Sequence, residues 1–305
     1  MPVLEARHLR KAYGSTLAVD DVSLTLEEGQ IVAVLGPNGA GKTTTVEMIA
    51  GLRQADAGTV RVLGLDPQAD PHAVREQLGM QLQAARLPGR ITVAEAVQLY
   101  ASFYTDPADP AELLELLGLT GKVDTKFKDL SGGQQQRLSI ALALVGRPKI
   151  AILDELTTGL DPHARREVWQ LIESVRDSGV SILLVTHFME EAERLADRVV
   201  IVDEGRVVAQ GSPTELTARA EGDYAFQMQF AEQLPAELVE SLRRLPEVTD
   251  LTIGDHGCTV TGLPMALPAV VGRLGAADRV PTDIHTMTRS LEDVFVQLTS
   301  EVPVP

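Results

Sequence analysis

Short unbroken apolar runs recur through the first two thirds of the chain, each stopping where glycine, hydroxyl or charged residues take over. Ile31–Leu35, Ile150–Leu153 and Ser181–Val185 are too short for helices and rich in Ile, Val and Leu, so they predict strands covered on both faces, as in a parallel sheet. Pro162 to Ser178, between the second and third runs, has a helical pattern, as a β-α-β unit requires. Val3 to Arg10 suits an edge strand, and Val22 to Leu26 alternates apolar with polar like a half-buried one. Thr43 to Leu52 reads as a helix closing near Gly51. From Asp70 to Gly121 the pattern turns helical, most clearly at Ala94–Phe103 and Ala111–Leu117. Val199–Val202 and Arg206–Ala209 flank Asp203, Glu204 and Gly205, a hairpin turn. The first domain is expected to span 1–215, with a helical subdomain over about 85–150.

The remainder, 216–305, differs in texture. Tyr224, Phe226, Met228 and Phe230 alternate with polar or small residues, predicting a strand, and a helix follows over Pro235–Arg244. Two strands around Gly254–Gly257, a helix over Met265–Leu274, a strand over Val280–Met287 and a helix over Ser290–Leu298 complete it. The order β-α-β-β-α-β-α resembles a ferredoxin-like unit with a helical tail. No long internal repeat or low-complexity tract occurs.

Three bulk properties narrow the function. The 305 residues include 44% hydrophobic ones, enough for a sizeable core, and the formal charge of −16 works against nucleic acid and anionic lipid as partners. Cys258 is the single cysteine, which excludes an internal disulfide, suits a reducing compartment and reads as a small core residue rather than a nucleophile. No stretch reaches the roughly 18 apolar residues of a spanning helix, and Met1 to Arg7 has no signal-peptide core. The expected location is cytoplasmic, with membrane contact only through a partner.

The candidate chemistry lies where the apolar runs end. Gly36, Pro37, Asn38, Gly39, Ala40, Gly41, Lys42 and Thr43 match G-x-x-x-x-G-K-[ST], whose amides cradle nucleotide phosphates while the lysine reaches the terminal phosphates and the hydroxyl holds magnesium. Strand, loop and helix follow in the order such a loop needs, since the helix start offers unpaired amides and a positive dipole end. Asp154 and Glu155 close the run Ile150–Leu153, where open α/β sheets place ligand groups. Asp154 can meet magnesium, which leaves Glu155 to deprotonate an attacking water. His187 ends another strand on the same side. Ser131, Gly132, Gly133 and Gln134 precede a helical run to Val145; they read as an N-cap, with backbone access that a cap does not need.

Gly36–Thr43, Leu130–Gln134, Ile150–Glu155, Gly159–Asp161 and His187 together resemble the ABC-type ATPase family, over about the first 215 residues. The resemblance implies an α/β fold: an ABC-type P-loop ATPase domain with a mixed sheet and helical subdomain, here followed by the small α+β C-terminal domain. It implies ATP and Mg2+ as cofactors, with Thr44 joining the phosphate loop. In the family, the helix start at Ser131 faces the γ-phosphate held by a second copy, so a homodimer on ATP binding is implied. Tyr13 is similar to the aromatic that stacks on adenine. Gln83 is preferred over Gln81 as the glutamine that senses magnesium and contacts the permease. Asp161 matches the aspartate of the loop that crosses between protomers, and is also a helix N-cap before Pro162. His187 is similar to the histidine that stabilises the γ-phosphate.

Leu156 stands where most relatives have proline, leaving more backbone freedom beside Glu155. The single ATPase domain, Thr157–Pro162 and the tail Ser290–Phe295 resemble the drug-resistance or ABC-2-type exporter branch; the tail also reads as an amphipathic helix packing on its own domain. That branch implies a separate membrane permease, a drug-like or lipophilic substrate, and a location on the inner face of the cell membrane. Asn38 is the single asparagine, so the Asn-Lys-x-Asp guanine reader of a GTPase is absent. The span from Lys42 to Ser131 leaves no room for the coiled coil of chromosome-maintenance relatives. The alternative is a soluble regulatory ATPase without a permease.

Overall fold

The computed structural model describes residues 2–81, 87–219, 224–254, 257–287 and 290–300. The chain divides into two compact units, Met1–Leu216 with Phe295–Pro305, and Thr217–Val294. In the first unit, β1 (Pro2–Tyr13) and β2 (Thr16–Glu27) form a long hairpin, and β3 (Ile31–Leu35) leads to α1 (Lys42–Ile49). Then come β4 (Ala57–Val62), α2 (Pro71–Arg75), β5 (Leu78–Gln81), α3 (Val93–Ala101), α4 (Pro110–Leu116) and α5 (Gly132–Leu144). A second β-α run follows: β6 (Ile150–Asp154), α6 (Pro162–Asp177), β7 (Ser181–Val185), α7 (Met189–Leu195), β8 (Arg198–Asp203), β9 (Arg206–Gly211) and α8 (Pro213–Arg219).

These strands make a mixed nine-stranded sheet, ordered β4-β1-β2-β9-β8-β3-β7-β6-β5. β3, β6 and β7 are buried along their whole lengths, the reason they read as continuous apolar runs. They pair in parallel, with Val34 beside Val185 and Asp154 beside Val185, while Gln81 of β5 pairs with Leu153. This register lines up the ends of four strands on one edge, directly before Gly36, Glu155, Thr186 and the segment after Gln81. The hairpin β8–β9 turns at Glu204 and Gly205, as expected.

Two expectations need correction. β1 is no edge strand: it lies between β4 and β2, and its Leu4, Ala6 and Leu9 are buried. The edge is β4, whose first three residues are exposed, so it lacks the apolar signal of a covered strand. The helix expected over Thr43–Leu52 is shorter, ending at Ile49, because Gly51 takes a φ of 71°.

Helix α5 lies tightly on β5: a Cβ at Gly79 would stand 2.0 Å from the Ala143 carbonyl oxygen, so only glycine permits this approach. α3 begins with a reciprocal capping box between Thr92 and Glu95, and α4 with Asp109 accepting from the Ala111 N–H ahead of Pro110.

The second unit comprises β10 (Tyr224–Gln229), α9 (Ala236–Arg243), β11 (Val248–Gly254), β12 (Gly257–Gly262), α10 (Ala266–Ala276) and β13 (Asp283–Met287), and α11 (Leu291–Ser300) begins at its end. The element order is the one read from the sequence. Its sheet is antiparallel throughout, ordered β11-β12-β10-β13. Phe226, Met228, Leu251 and Val260 face Leu242, Val270 and Leu274 of the helices. Cys258 lies in this core, and burial pushes its thiol pKa up to about 11, so it is a packing residue. Among the described residues no helix is long and apolar enough to cross a membrane.

Candidate functional site

The phosphate-loop residues connect β3 to α1. Gly41 caps the helix with φ 97°, and a Cβ there would meet the Ala18 carbonyl oxygen at 2.3 Å, so β2 closes on the loop from one side. Gly205 donates its N–H to the Ala40 carbonyl at 3.0 Å, so the β8–β9 turn holds the loop as well. Lys42 is only 6% exposed, and its Nζ donates to the carbonyl oxygens of Gly36 at 2.8 Å and Pro37 at 3.0 Å. Burial lowers the Lys42 pKa, and the carboxylates of Glu155 and Asp154 act against that shift. Asn38, Gly39, Gly41, Lys42, Thr43 and Thr44 line a cavity of about 370 Å3, joined by Ala18 and Glu155.

Asp154 is 1% exposed at the end of β6. Glu155 then turns sharply: its φ is 49°, a left-handed backbone that costs a non-glycine residue about 1–3 kcal/mol and persists only where the surroundings enforce it. Its N–H donates to the Val185 carbonyl at 2.8 Å, and Leu156, in the position where proline was the expected family residue, is fully buried and anchors the turn. Glu155 Oε1 lies 3.4 Å from His187 Nδ1, with the Glu155 side chain 11% exposed. The His187 ring rests on Phe188, centroids 4.1 Å apart. Thus a carboxylate and an imidazole from neighbouring strand ends meet beside the loop cavity, a pairing suited to proton transfer and to contact with an anion.

Ser131 is the N-cap of α5: its Oγ accepts from the Gln134 N–H at 3.4 Å, and Gln134 Oε1 accepts from the Ser131 N–H at 3.1 Å. The cap role is therefore real. Ser131, Gly132, Gly133 and Gln134 line a second cavity of about 370 Å3 together with Asp161, Arg137 and Glu167. Asp161 caps α6 by accepting from the N–H groups of Ala164 at 3.0 Å and His163 at 2.9 Å, which hold its carboxyl below the usual range. The two cavities have different linings, so one chain carries both surfaces without joining them.

Tyr13 lies outside both linings. It ends β1 opposite Thr16, is 40% exposed, and carries the Arg53 guanidinium 5.1 Å from its ring centroid. Gln83 falls outside the described residues. Its competitor Gln81 accepts the Asp154 N–H on Oε1 at 3.1 Å, which ties the β5 end to the β6 end. Sequence reasoning missed Ala18, Arg137 and Glu167. Arg137 pairs with Glu167 across α5 and α6, a contact between residues thirty apart that no local pattern announces.

Comparison with known proteins fits this geometry. A family model described as ABC transporter matches residues 19–158. Nod factor export ATP-binding protein I of Ralstonia nicotianae is 37% identical, over 98% of this chain and 94% of its own length. Its counterpart in Burkholderia lata is 36% identical, over 98% of both chains. A solved ATP-binding subunit of an ABC transporter superposes with a TM-score of 0.64 at 30% identity, over 71% of this chain and 92% of that one. A dimeric ATP-binding cassette bound to ADP and Pi superposes with a TM-score of 0.61 at 27% identity, over 68% of this chain and 98% of that one.

Proposed function

Because this chain belongs to the ABC transporter family of ATP-binding, ATP-hydrolysing subunits, we propose that it powers an exporter through a separate membrane permease, two copies enclosing ATP between them. The observation that carries this reading is the division of labour between the two cavities. One copy supplies Lys42, Glu155 and the loop amides, and its partner supplies the surface at Ser131–Gln134, which in a single chain has a different lining. A C2 pair places each surface against the other twice, completing two sites at once.

Lys42 exchanges the loop carbonyls for the terminal phosphates, whose charge offsets the cost of burying its ammonium. The hydroxyl of Thr43 and the carboxylate of Asp154, with Gln83, are hard oxygen donors that suit Mg2+, which when bound neutralises charge on the phosphates. Glu155 takes the proton of the attacking water, and His187 holds the γ-phosphate from the neighbouring strand end. Asp161 meets the partner's phosphate-loop side, and Tyr13 stacks on adenine with one face while Arg53 covers its ring. The second unit, with its β-α-β-β-α-β order and antiparallel sheet, we read as ferredoxin-like and as serving regulation or dimer stability.

Relatives named for Nod factor export support the outward direction, and the exporter branch that the sequence resembles favours a drug-like or lipophilic substrate. The working location is the inner face of the cell membrane, reached through the permease. Tagged protein purified from its native membranes in detergent is expected to retain a polytopic membrane protein and to show ATPase activity that a lipophilic transport substrate stimulates. Recovery of the ATPase alone, in detergent that preserves other transporters, would favour a regulatory ATPase. At the level of the site, Lys42→Ala is expected to weaken ATP binding about ten- to hundredfold, the loss of a charge-assisted contact. Titration calorimetry reads this, and unchanged affinity would contradict the phosphate-loop assignment.

A further inference from the structure

A carboxyl group that the scheme above does not use is buried directly behind it. Glu191 on α7 is fully buried, as are Thr157 and Thr186. Its Oε1 accepts the indole N–H of Trp169 on α6 at 3.0 Å. The hydroxyls of Thr186 and Thr157 face the same carboxyl, and Arg165 acts on it from one turn before Trp169. The grip is uneven: Trp169 binds at full hydrogen-bond geometry, whereas Oε2 and Thr157 Oγ1 are buried and stop short of it. Thr186 Oγ1 also accepts the Phe188 N–H at 3.0 Å, so it fixes the turn on which His187 sits.

The sequence positions of those threonines matter. Thr157 follows Glu155 by two residues, and Thr186 directly precedes His187. A second rung lies beside the first, with the Arg165 guanidinium 4.5 Å from the centroid of the Phe188 ring. Arg165 and Trp169 are four apart on α6 and therefore share a face. A purely structural contact between α6 and α7 has no need of an acid, since a buried carboxyl replaced by a well-packed apolar side chain is often neutral for stability. Burial pushes the Glu191 pKa up, and the polar groups of Thr186, Trp169 and Thr157 and the charge of Arg165 oppose that.

We propose that Glu191 is a positioning residue for hydrolysis: its carboxyl, held by Trp169, braces the threonines beside Glu155 and His187 and thereby sets the spacing of those two groups. The proposal rests on the ATPase reading above.

The test uses the full chain and steady-state ATP hydrolysis with separate ATP-binding titrations. Glu191→Leu is expected to lower kcat about tenfold or more while KM and ATP affinity stay within about twofold, since the brace acts on the reacting groups and not on the phosphate loop. Glu191→Gln keeps an acceptor for the indole and is expected to restore most of kcat. An unchanged kcat in Glu191→Leu overturns the proposal, as does a parallel loss of kcat, affinity and melting temperature that glutamine does not rescue. Where Glu191→Leu fails to fold, Trp169→Phe removes the indole N–H alone; it is expected to lower kcat about threefold or more, and wild-type kcat there overturns the brace. Glu155→Gln measured alongside separates the two readings. If that variant hydrolyses ATP normally the catalytic reading fails, whereas if it is dead and Glu191→Leu is fully active, only the brace fails.

Discussion

Glu155→Gln is expected to bind ATP as tightly as the parent chain and to hydrolyse it about 10²–10⁴-fold more slowly. Glutamine keeps the size of the side chain and can occupy the same turn, so the φ of 49°, the N–H bond to Val185 and the buried Leu156 remain. What it loses is the ability to accept a proton from water. Lys42 and the loop amides are untouched, and affinity should hold. Loss of the negative charge also removes one of the two carboxylates that oppose the lowering of the Lys42 pKa by burial, a change that the phosphates of bound ATP offset. Single-turnover hydrolysis together with a binding titration separates these effects. Turnover within a few-fold of the parent chain would remove Glu155 from the role of base.

Ser131→Arg is expected to reduce turnover about 10²-fold or more, a loss comparable to removing a transition-state donor, while a single chain still binds ATP normally. The substitution fills the cavity at Ser131–Gln134 with a guanidinium next to Arg137 and removes an N-cap, which costs about 0.5–2 kcal/mol. That cost is small enough for α5 to survive, because the helix buries Leu138, Ile140 and Leu142. Ser131 lines a different cavity from Lys42, so on the proposed reading its effect on hydrolysis passes through a second copy. Normal hydrolysis by a folded Ser131→Arg would show that the paired site is wrong. A melting curve run beside the assay shows whether the chain is folded.

The readable parts of this chain are those whose signal is local. β3, β6 and β7 are covered on both faces, so a run of four or five apolar or small residues announces each of them, and the loop, carboxylates and histidine at their ends are named by the residues that follow. β1 reads as an edge strand because a mixture of apolar and polar residues does not say how many neighbours a strand has; the partner that makes it internal, β4, is short and mostly exposed. α7 has no local signal of its own, since Met189–Leu195 is seven residues with four charges, and nothing beside Glu191 in the chain marks it as buried. Its burial depends on Trp169, twenty-two positions away. The pairing of Glu155 with His187 likewise depends on the register that sets Asp154 beside Val185, a tertiary fact. In the second unit the alternation of Phe226, Met228 and Phe230 was enough, because one face of that sheet is covered and the other is wet.

The central claim is that ATP is enclosed by two copies of this chain, each lending the surface that the other needs. Sedimentation velocity of Glu155→Gln at saturating MgATP tests it most directly. The account predicts that the 32.8 kDa chain sediments as a pair with ATP and as a single chain without it, and that adding Ser131→Arg returns it to a single chain. A chain that stays single with ATP fully bound, or pairs equally well with and without ATP, contradicts it.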